Sequence, residues 1–183
     1  MNNLEKWKKD EKAQFEGWDF SYLKGRMIEE QLPWNYVSIA RKLVKKSKSV
    51  LDIGTGGGEI FASLGPFNGR ATVTEGYKPN VAIAKKNLEK LGVNVLDFAS
   101  ASVRNMPFAD EEFDLILNRH DAFDPRELYR ILHKGGVFLT QQVGKGNLGD
   151  LAKFFNATPK YSGWTLNYIE KQLKVSGFSI EDS

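Results

Sequence analysis

The sequence predicts an α/β fold, a doubly wound and mostly parallel sheet with helices on both faces. Three observations carry this expectation. Five short runs rich in β-forming residues recur along the chain, at 49–54, 71–76, 94–100, 113–120 and 135–143. Between most of them lie stretches with apolar residues at helical spacing, and strand–helix alternation of this kind implies parallel pairing. The first run ends in glycines that lead into a helix, and right-handed crossovers then leave few topologies other than a doubly wound sandwich.

Ahead of the sheet, residues 3–16 read as a helix in which Leu4, Trp7 and Phe15 interrupt a charged face. Gly17 breaks it, and 18–32 are aromatic and irregular before a second helical stretch. Pro33 is expected to open the next helix at its first position. That helix carries Tyr36, Val37, Ala40, Leu43 and Val44 on one face and closes in Lys45, Lys46 and Lys48. Positive charge there suits the negative end of a helix. Within the sheet region, helices are expected from Gly58 to Leu64, after Pro79, and after Pro125; the stretch between the third and fourth strands is the least regular. Past the fifth strand come LGDLAKFFNA, a helix ending at Gly177, and FSIEDS, which reads as a strand.

A chain of 183 residues fits one domain with a sizeable core. The expected organisation is a helical lid segment at 1–48 and a sheet domain at 49–183. No cysteine is present, which removes disulfides, thiolate metal sites and thiol nucleophiles. Two histidines, His120 and His133, exclude a histidine-rich metal centre. No apolar run approaches the length of a membrane span, and the N-terminus has no apolar stretch of the secretory type, so the expected location is cytoplasmic. Residues 1–48 hold 11 Lys and Arg against 7 Asp and Glu, whereas the rest is near neutral. Such a bias reads either as a solvated helix face or as an attractor of an anionic partner such as RNA.

The chemistry concentrates after the first strand, in Asp52-Ile53-Gly54-Thr55-Gly56-Gly57-Gly58-Glu59. Glycines let a backbone take positive φ and approach a ligand closely. At the carboxyl end of the first strand this is where a nucleotide-like ligand sits. The dinucleotide spacing G-x-G-x-x-G would need glycine at position 59, which holds Glu59, and no G-K-[ST] follows, so neither a dinucleotide nor a phosphate loop is implied. The second strand ends in Glu75, where an acid can accept hydrogen bonds from both ribose hydroxyls. The acids Asp110, Glu111, Glu112 and Asp114 lack the spacing of a calcium loop and read as a polar turn.

With VLDIGTGGGE, the Glu75 strand end, NMPFADEEFDLIL and HKGGVFLT, residues 49–143 resemble the class I S-adenosylmethionine-dependent methyltransferases, in particular the small-molecule, methyltransferase type 11-like branch. The resemblance implies a Rossmann-like sheet of order 3-2-1-4-5 and S-adenosylmethionine as cofactor. It implies that Asp52 and the loop containing Gly54, Thr55, Gly56 and Gly58 wrap the methionine part. Glu75 would hold the ribose, with Gly76 and Tyr77 beside the adenine. Ser102 stands where the family often has an acid toward the adenine amino group, with Val103 offering its N–H, and Asn118 would face the methionine end.

Methyl transfer asks mainly for positioning, with a base only where the acceptor must lose a proton. His120, just past the fourth strand, is the first candidate for that base, or else an exposed or capping residue. Arg119 and Asp121 either bind the acceptor or pair with each other. His133, at a helix end, reads as structural. The aromatic residues Trp7, Phe15, Trp18, Phe20, Tyr22 and Trp34 either pack on the sheet or line an acceptor pocket, and Arg26 is expected to reach the cofactor carboxylate.

The expected partner is a small-molecule methyl acceptor, with a structured RNA as the rival acceptor and a catalytically inactive cofactor-binding module as the rival class. The family's C-terminal hairpin is incomplete here, so the fifth strand is expected to show an edge open to self-association.

Overall fold

The structure is a computed structural model and describes residues 2–12, 21–26, 28, 30, 32–98, 103–144, 146–147, 149–157 and 163–182. Five strands, β1 (Ser49–Ile53), β2 (Arg70–Glu75), β3 (Asn94–Asp97), β4 (Phe113–Arg119) and β5 (Leu132–Gln141), form one sheet of order β3-β2-β1-β4-β5. Every pairing is parallel. The strand order reverses between β1 and β4, and in such sheets ligands bind outside the carboxyl ends of the strands at that point.

Helices α1 (Asn3–Glu11) and α2 (Tyr36–Val44) precede the sheet. Next come α3 (Glu59–Leu64), α4 (Lys78–Leu88), α5 (Pro125–Ile131), α6 (Gly149–Phe154) and α7 (Leu166–Val175). The core has two halves, one on each face of the sheet. Tyr36, Ala40 and Val44 of α2 pack with Phe61 and Leu64 of α3 and Ala84 and Leu88 of α4 against Val50, Val73, Leu115 and Leu117. On the other face Leu128 and Ile131 of α5 and Ile169 and Leu173 of α7 pack against Leu51, Ile53 and Ile116. β1 and β4 contribute to both halves, which is why apolar residues stand side by side in Val50-Leu51 and Leu115-Ile116-Leu117.

Three local expectations are corrected. α2 starts at Tyr36, because the Asn35 side chain caps it by accepting from Ser38 N (2.9 Å); Pro33 lies upstream of the cap. β5 begins at Leu132, across an irregular register with β4, so His133 lies in a strand and not at a helix end. Residues 178–182 of FSIEDS form no strand. Phe178 instead lays its ring against Tyr129 (5.5 Å between centroids) and Phe138 (6.1 Å), and Ile180 joins the second core half. Apolar burial on the sheet face wins over edge pairing there, and among the described residues β5 is an edge strand of the sheet.

The acidic turn before β4 is tied down by named partners. Asp114 accepts from Lys48 N (2.8 Å) and Ser49 N (2.9 Å), and Glu112 pairs with Arg70 (2.8 Å). Arg130 is the centre of the turn. It donates to both oxygens of the buried Glu127 (3.0 and 2.6 Å), to Asp110 (2.7 Å) and to the Phe108 carbonyl (2.8 Å). Glu127 also accepts from Met106 N (2.7 Å). The Arg130 guanidinium foremost, with the Met106 N–H, holds the Glu127 carboxyl below its usual range against the opposing effect of burial.

Replacing Arg130 by Met strands a buried carboxylate, so thermal unfolding at pH 7 is expected to show a loss of about 3 kcal/mol. Glu127 contributes stability that is present above its unfolded pKa and lost as pH falls through its depressed folded one. The gap between wild type and variant should therefore narrow when the melts are repeated toward pH 3.

Candidate active site

The loop after β1 is shaped before any ligand arrives. Gly54 N and Thr55 N both donate to the Thr74 carbonyl (3.1 and 3.0 Å), tying the loop to β2. Gly54 and Gly56 take φ of +72° and +64°, which a residue with a Cβ rarely adopts. A Cβ on Gly54 would also fall on the Asp121 carboxylate. From α4, Asn87 Nδ2 donates to the Gly57 carbonyl (2.8 Å). Glu75, at the end of β2 and 8% exposed, accepts from Gly56 N and Tyr77 N, both at 2.7 Å. Its two oxygens keep further lone pairs, and an acceptor-only group with spare capacity suits a ribose diol. Gly76 follows it half-buried, and the exposed Tyr77 ring stands at the entry to α4.

Across the strand-order reversal, Asn118 on β4 pairs in register with Ile53 on β1. It is fully buried. Its Oδ1 accepts from Thr140 Oγ1 (3.1 Å) and Gln142 Nε2 (2.5 Å), and its Nδ2 has no acceptor. Two further buried atoms lack a hydrogen-bond partner, the Thr55 hydroxyl in the loop and the hydroxyl of Tyr36, the first residue of α2. Burial foremost, then the negative Asp52, holds the Tyr36 phenol well above its usual value, with Arg119 opposing. Burial also pushes the Asp52 carboxyl up to about 7; the Thr55 hydroxyl opposes that shift, the charges of Asp121 and Glu75 add to it, and Arg119 offsets part of it. Buried polar groups without partners are rare in folded proteins, and each calls for an explanation.

Residues 51–140 match the methyltransferase domain family. The fold is that of the class I methyltransferases. The ubiquinone/menaquinone biosynthesis C-methyltransferase of Haemophilus ducreyi is 24% identical over 153 residues, covering 75% of this chain and 59% of that protein. The uncharacterized methyltransferase YcgJ of Bacillus subtilis is 30% identical over 97 residues, 49% of this chain and 38% of its own length. The chain therefore spans less than two thirds of these relatives. Among solved structures, BH2331 of Bacillus halodurans, assigned to the methyltransferases, superposes with a TM-score of 0.63 at 25% identity, covering 80% of this chain and 70% of that one.

The fold brings together several residues expected from sequence. Asp52, Gly54, Thr55, Gly56, Gly58, Glu75, Gly76, Tyr77 and Asn118 all lie at the carboxyl ends of β1, β2 and β4 or in the turns that follow. Val103 is half-buried before β4. Ser102, Phe15, Trp18 and Phe20 lie outside the described residues. On the rim, His120 takes φ of +62°, and its N donates to the Gln141 carbonyl (2.9 Å). Its Nε2 lies 3.4 Å from Gln141 Nε2, and Trp34 Nε1 donates to Gln141 Oε1 at 3.4 Å. Arg119 faces Gln141 in the β4–β5 register. Trp34, Arg119 and His120 are thus gathered around one glutamine.

Arg26 is held elsewhere. It pairs with Asp10 (3.1 Å) and lies over the Tyr22 ring (4.5 Å), within the segment ahead of α2. Exposed Trp7 lies in α1, none of whose residues is buried.

Sequence reasoning missed Tyr36, Asp121 as a neighbour of the glycine loop, and the pair Gln141-Gln142. Tyr36 looked like any other member of an apolar helix face. Two glutamines at the end of a strand that feeds the catalytic rim were the available signal. Gln141 reaches His120 and Trp34, while Gln142 reaches Asn118, Thr140 and the Asp121 carbonyl (3.3 Å).

Proposed function

We propose that this chain binds S-adenosylmethionine across the carboxyl ends of β1, β2 and β4 and transfers its methyl group to a small-molecule acceptor entering beside Trp34. The observation that carries the reading is Glu75, a buried carboxylate that holds the glycine loop through Gly56 and still has lone pairs for a ribose. The unpartnered Asn118 Nδ2 offers a donor suited to an acceptor atom of the methionine end. When bound, the cofactor supplies a methyl group made electrophilic by its sulfonium.

The protein's share is positioning and water exclusion. The loop and Glu75 fix the nucleoside, and Asn118 orients the far end. Arg119 and Trp34 hold the acceptor, and His120 accepts its proton where one must leave. A histidine in a left-handed backbone conformation is strained relative to glycine, and strain of this kind persists where the side chain has a task. Trp34 and the elements ahead of β1 act as the lid, the domain at 49–183 holds the cofactor, and the setting is cytoplasmic.

The test is calorimetric titration with S-adenosylmethionine and S-adenosylhomocysteine, with NAD as control. Saturable binding of both nucleosides and none of NAD is the expected result. Absence of binding to the folded protein would refute the reading.

A further inference from the structure

Alternation along the strands sorts the rim into two faces. Val50, Leu115 and Leu117 pack on the α2 side of the sheet, with Val137 and Leu139 against them, whereas Leu51, Ile53 and Ile116 pack on the other. Side chains two positions apart in a strand point the same way. Asp52, Arg119 and Gln141 therefore stand on the α2 side, toward the carboxyl ends of β1, β4 and β5. α2 runs from Tyr36 to Val44 and is followed at Ser49 by β1, so its first residue lies over those same carboxyl ends. The bond from Trp34 Nε1 to Gln141 Oε1 (3.4 Å) agrees with that placement.

Two groups on this face have hydrogen-bonding capacity that the described residues do not use. The Tyr36 hydroxyl is buried without a partner, in a residue 8% exposed. Arg119, exposed at the end of β4, enters no ion pair among the described residues. The charge of Arg119 acts on the Tyr36 phenol, as expected of near neighbours. A phenol O–H and a guanidinium fork are both donors, and together they suit a carboxylate. Beside them Trp34 is 52% exposed and offers an aromatic surface to a planar ligand. Asp52 shares the face from β1, beyond β4 as seen from Gln141. Burial foremost pushes its carboxyl up to about 7, so near neutral pH it opposes an anion only in part.

We propose that Tyr36 and Arg119 form a carboxylate-binding pair, and that the methyl acceptor is a small planar carboxylate seated between them and Trp34. The proposal rests on the reading above, in which the acceptor enters beside Trp34, and names its chemical class. In the strand order, β4 and β5 lie on the opposite side of β1 from β2, whose Glu75 serves the nucleoside. A carboxylate held between Arg119 and Trp34 is on this ground the acceptor's and not that of the cofactor's amino-acid end.

The experiment uses the full chain saturated with S-adenosylhomocysteine and two probes of nearly the same shape and different charge, 4-hydroxybenzoate and 4-hydroxybenzamide. Both are titrated at pH 7 by ligand-observed NMR. The acid should bind at least about tenfold more tightly than the amide. Tyr36→Phe and Arg119→Gln should each remove most of that preference, and Trp34→Ala should weaken acid and amide alike. Tyr36→Phe carries a second readout. Its unliganded melting temperature should be no lower than that of the wild type, because the hydroxyl it removes has no partner to lose.

Equal binding of acid and amide by the wild type, or binding of neither, would overturn the proposal, and that measurement needs no variant to fold. A clear drop in melting temperature on Tyr36→Phe would overturn it as well, since the hydroxyl would then be bonded within the fold. A third arm compares S-adenosylhomocysteine with 5′-methylthioadenosine, which lacks the amino-acid end. Tyr36→Phe and Arg119→Gln should leave both affinities unchanged. Selective weakening of S-adenosylhomocysteine would give the pair to the cofactor's own carboxylate and overturn the acceptor assignment. Failure of S-adenosylhomocysteine to bind at all would instead overturn the cofactor reading, so the two failures are distinguishable.

Discussion

Asp52→Asn is expected to make the unliganded protein more stable and its cofactor complex weaker. Burial and the charges of Asp121 and Glu75 push the Asp52 carboxyl up to about 7 in the folded chain, whereas in the unfolded chain it titrates like any aspartate. Between those two values the folded state binds the extra proton, so stability falls as pH rises through the interval. The effect is absent below about pH 4, grows up to about pH 7 and is constant above it. Asparagine carries no such charge. Thermal melts should therefore coincide for wild type and variant near pH 4 and separate at pH 8, the variant being more stable by about 2 kcal/mol once partial exposure is allowed for. Titration with S-adenosylmethionine at pH 8 should show the opposite ranking. A variant no more stable at pH 8 than at pH 4 would mean that Asp52 is not under electrostatic stress. Stability given up at one residue for the sake of a ligand is a familiar trade at binding sites.

How far the sequence reaches can be judged residue by residue. β1, β2 and β4 were readable because each is a short run rich in β-forming residues, and β1 and β2 end in glycines or a strand-end acid. The doubly wound parallel class followed from alternation and handedness, and the strand order from the family resemblance. The glycine loop and Glu75 were readable because a backbone requirement leaves a mark in residue type: positive φ asks for glycine, and a buried strand does not end in an acid without cause. Asp121 left no such mark. Its place against Gly54 depends on how the turn after β4 folds back over β1, which is a property of the packed sheet. The same holds for Gln141, whose partners Trp34 and His120 stand 107 and 21 positions away. Tyr36 was recognisable as a core residue, but its unmet hydroxyl shows only once its surroundings are built. FSIEDS shows the converse error, since its β-forming residues pack on a sheet face without joining the sheet. Local pattern reports what a segment can do, and tertiary burial decides which option is used.

Glu75→Ala is expected to have the largest effect on binding, because this carboxylate serves the loop and the ligand together. Removing it leaves Gly56 N and Tyr77 N without their acceptor in a place that is 8% exposed. Each buried donor left unsatisfied costs about 1–3 kcal/mol, and water entering the vacated volume returns part of it, so a net loss of about 2–3 kcal/mol is expected in denaturant unfolding. Cofactor affinity should fall by more than about a hundredfold, since the loop loses its anchor and the ribose loses its acceptor. The two losses can be separated with ligands that lack the diol. Wild type should bind adenosine far more tightly than 2′,3′-dideoxyadenosine, and in Glu75→Ala that preference should vanish while both bind weakly. Were the variant to keep the full preference, Glu75 would be an anchor for the loop alone, and the ribose would have to be read by another group. If the preference disappears together with the affinity, one carboxylate couples loop shape to nucleoside recognition. The glycine turn and the strand-end acid then form one unit, because Gly56 can present its N–H to Glu75 only while the loop keeps its left-handed backbone, and a ligand that engages Glu75 stabilises that backbone in return.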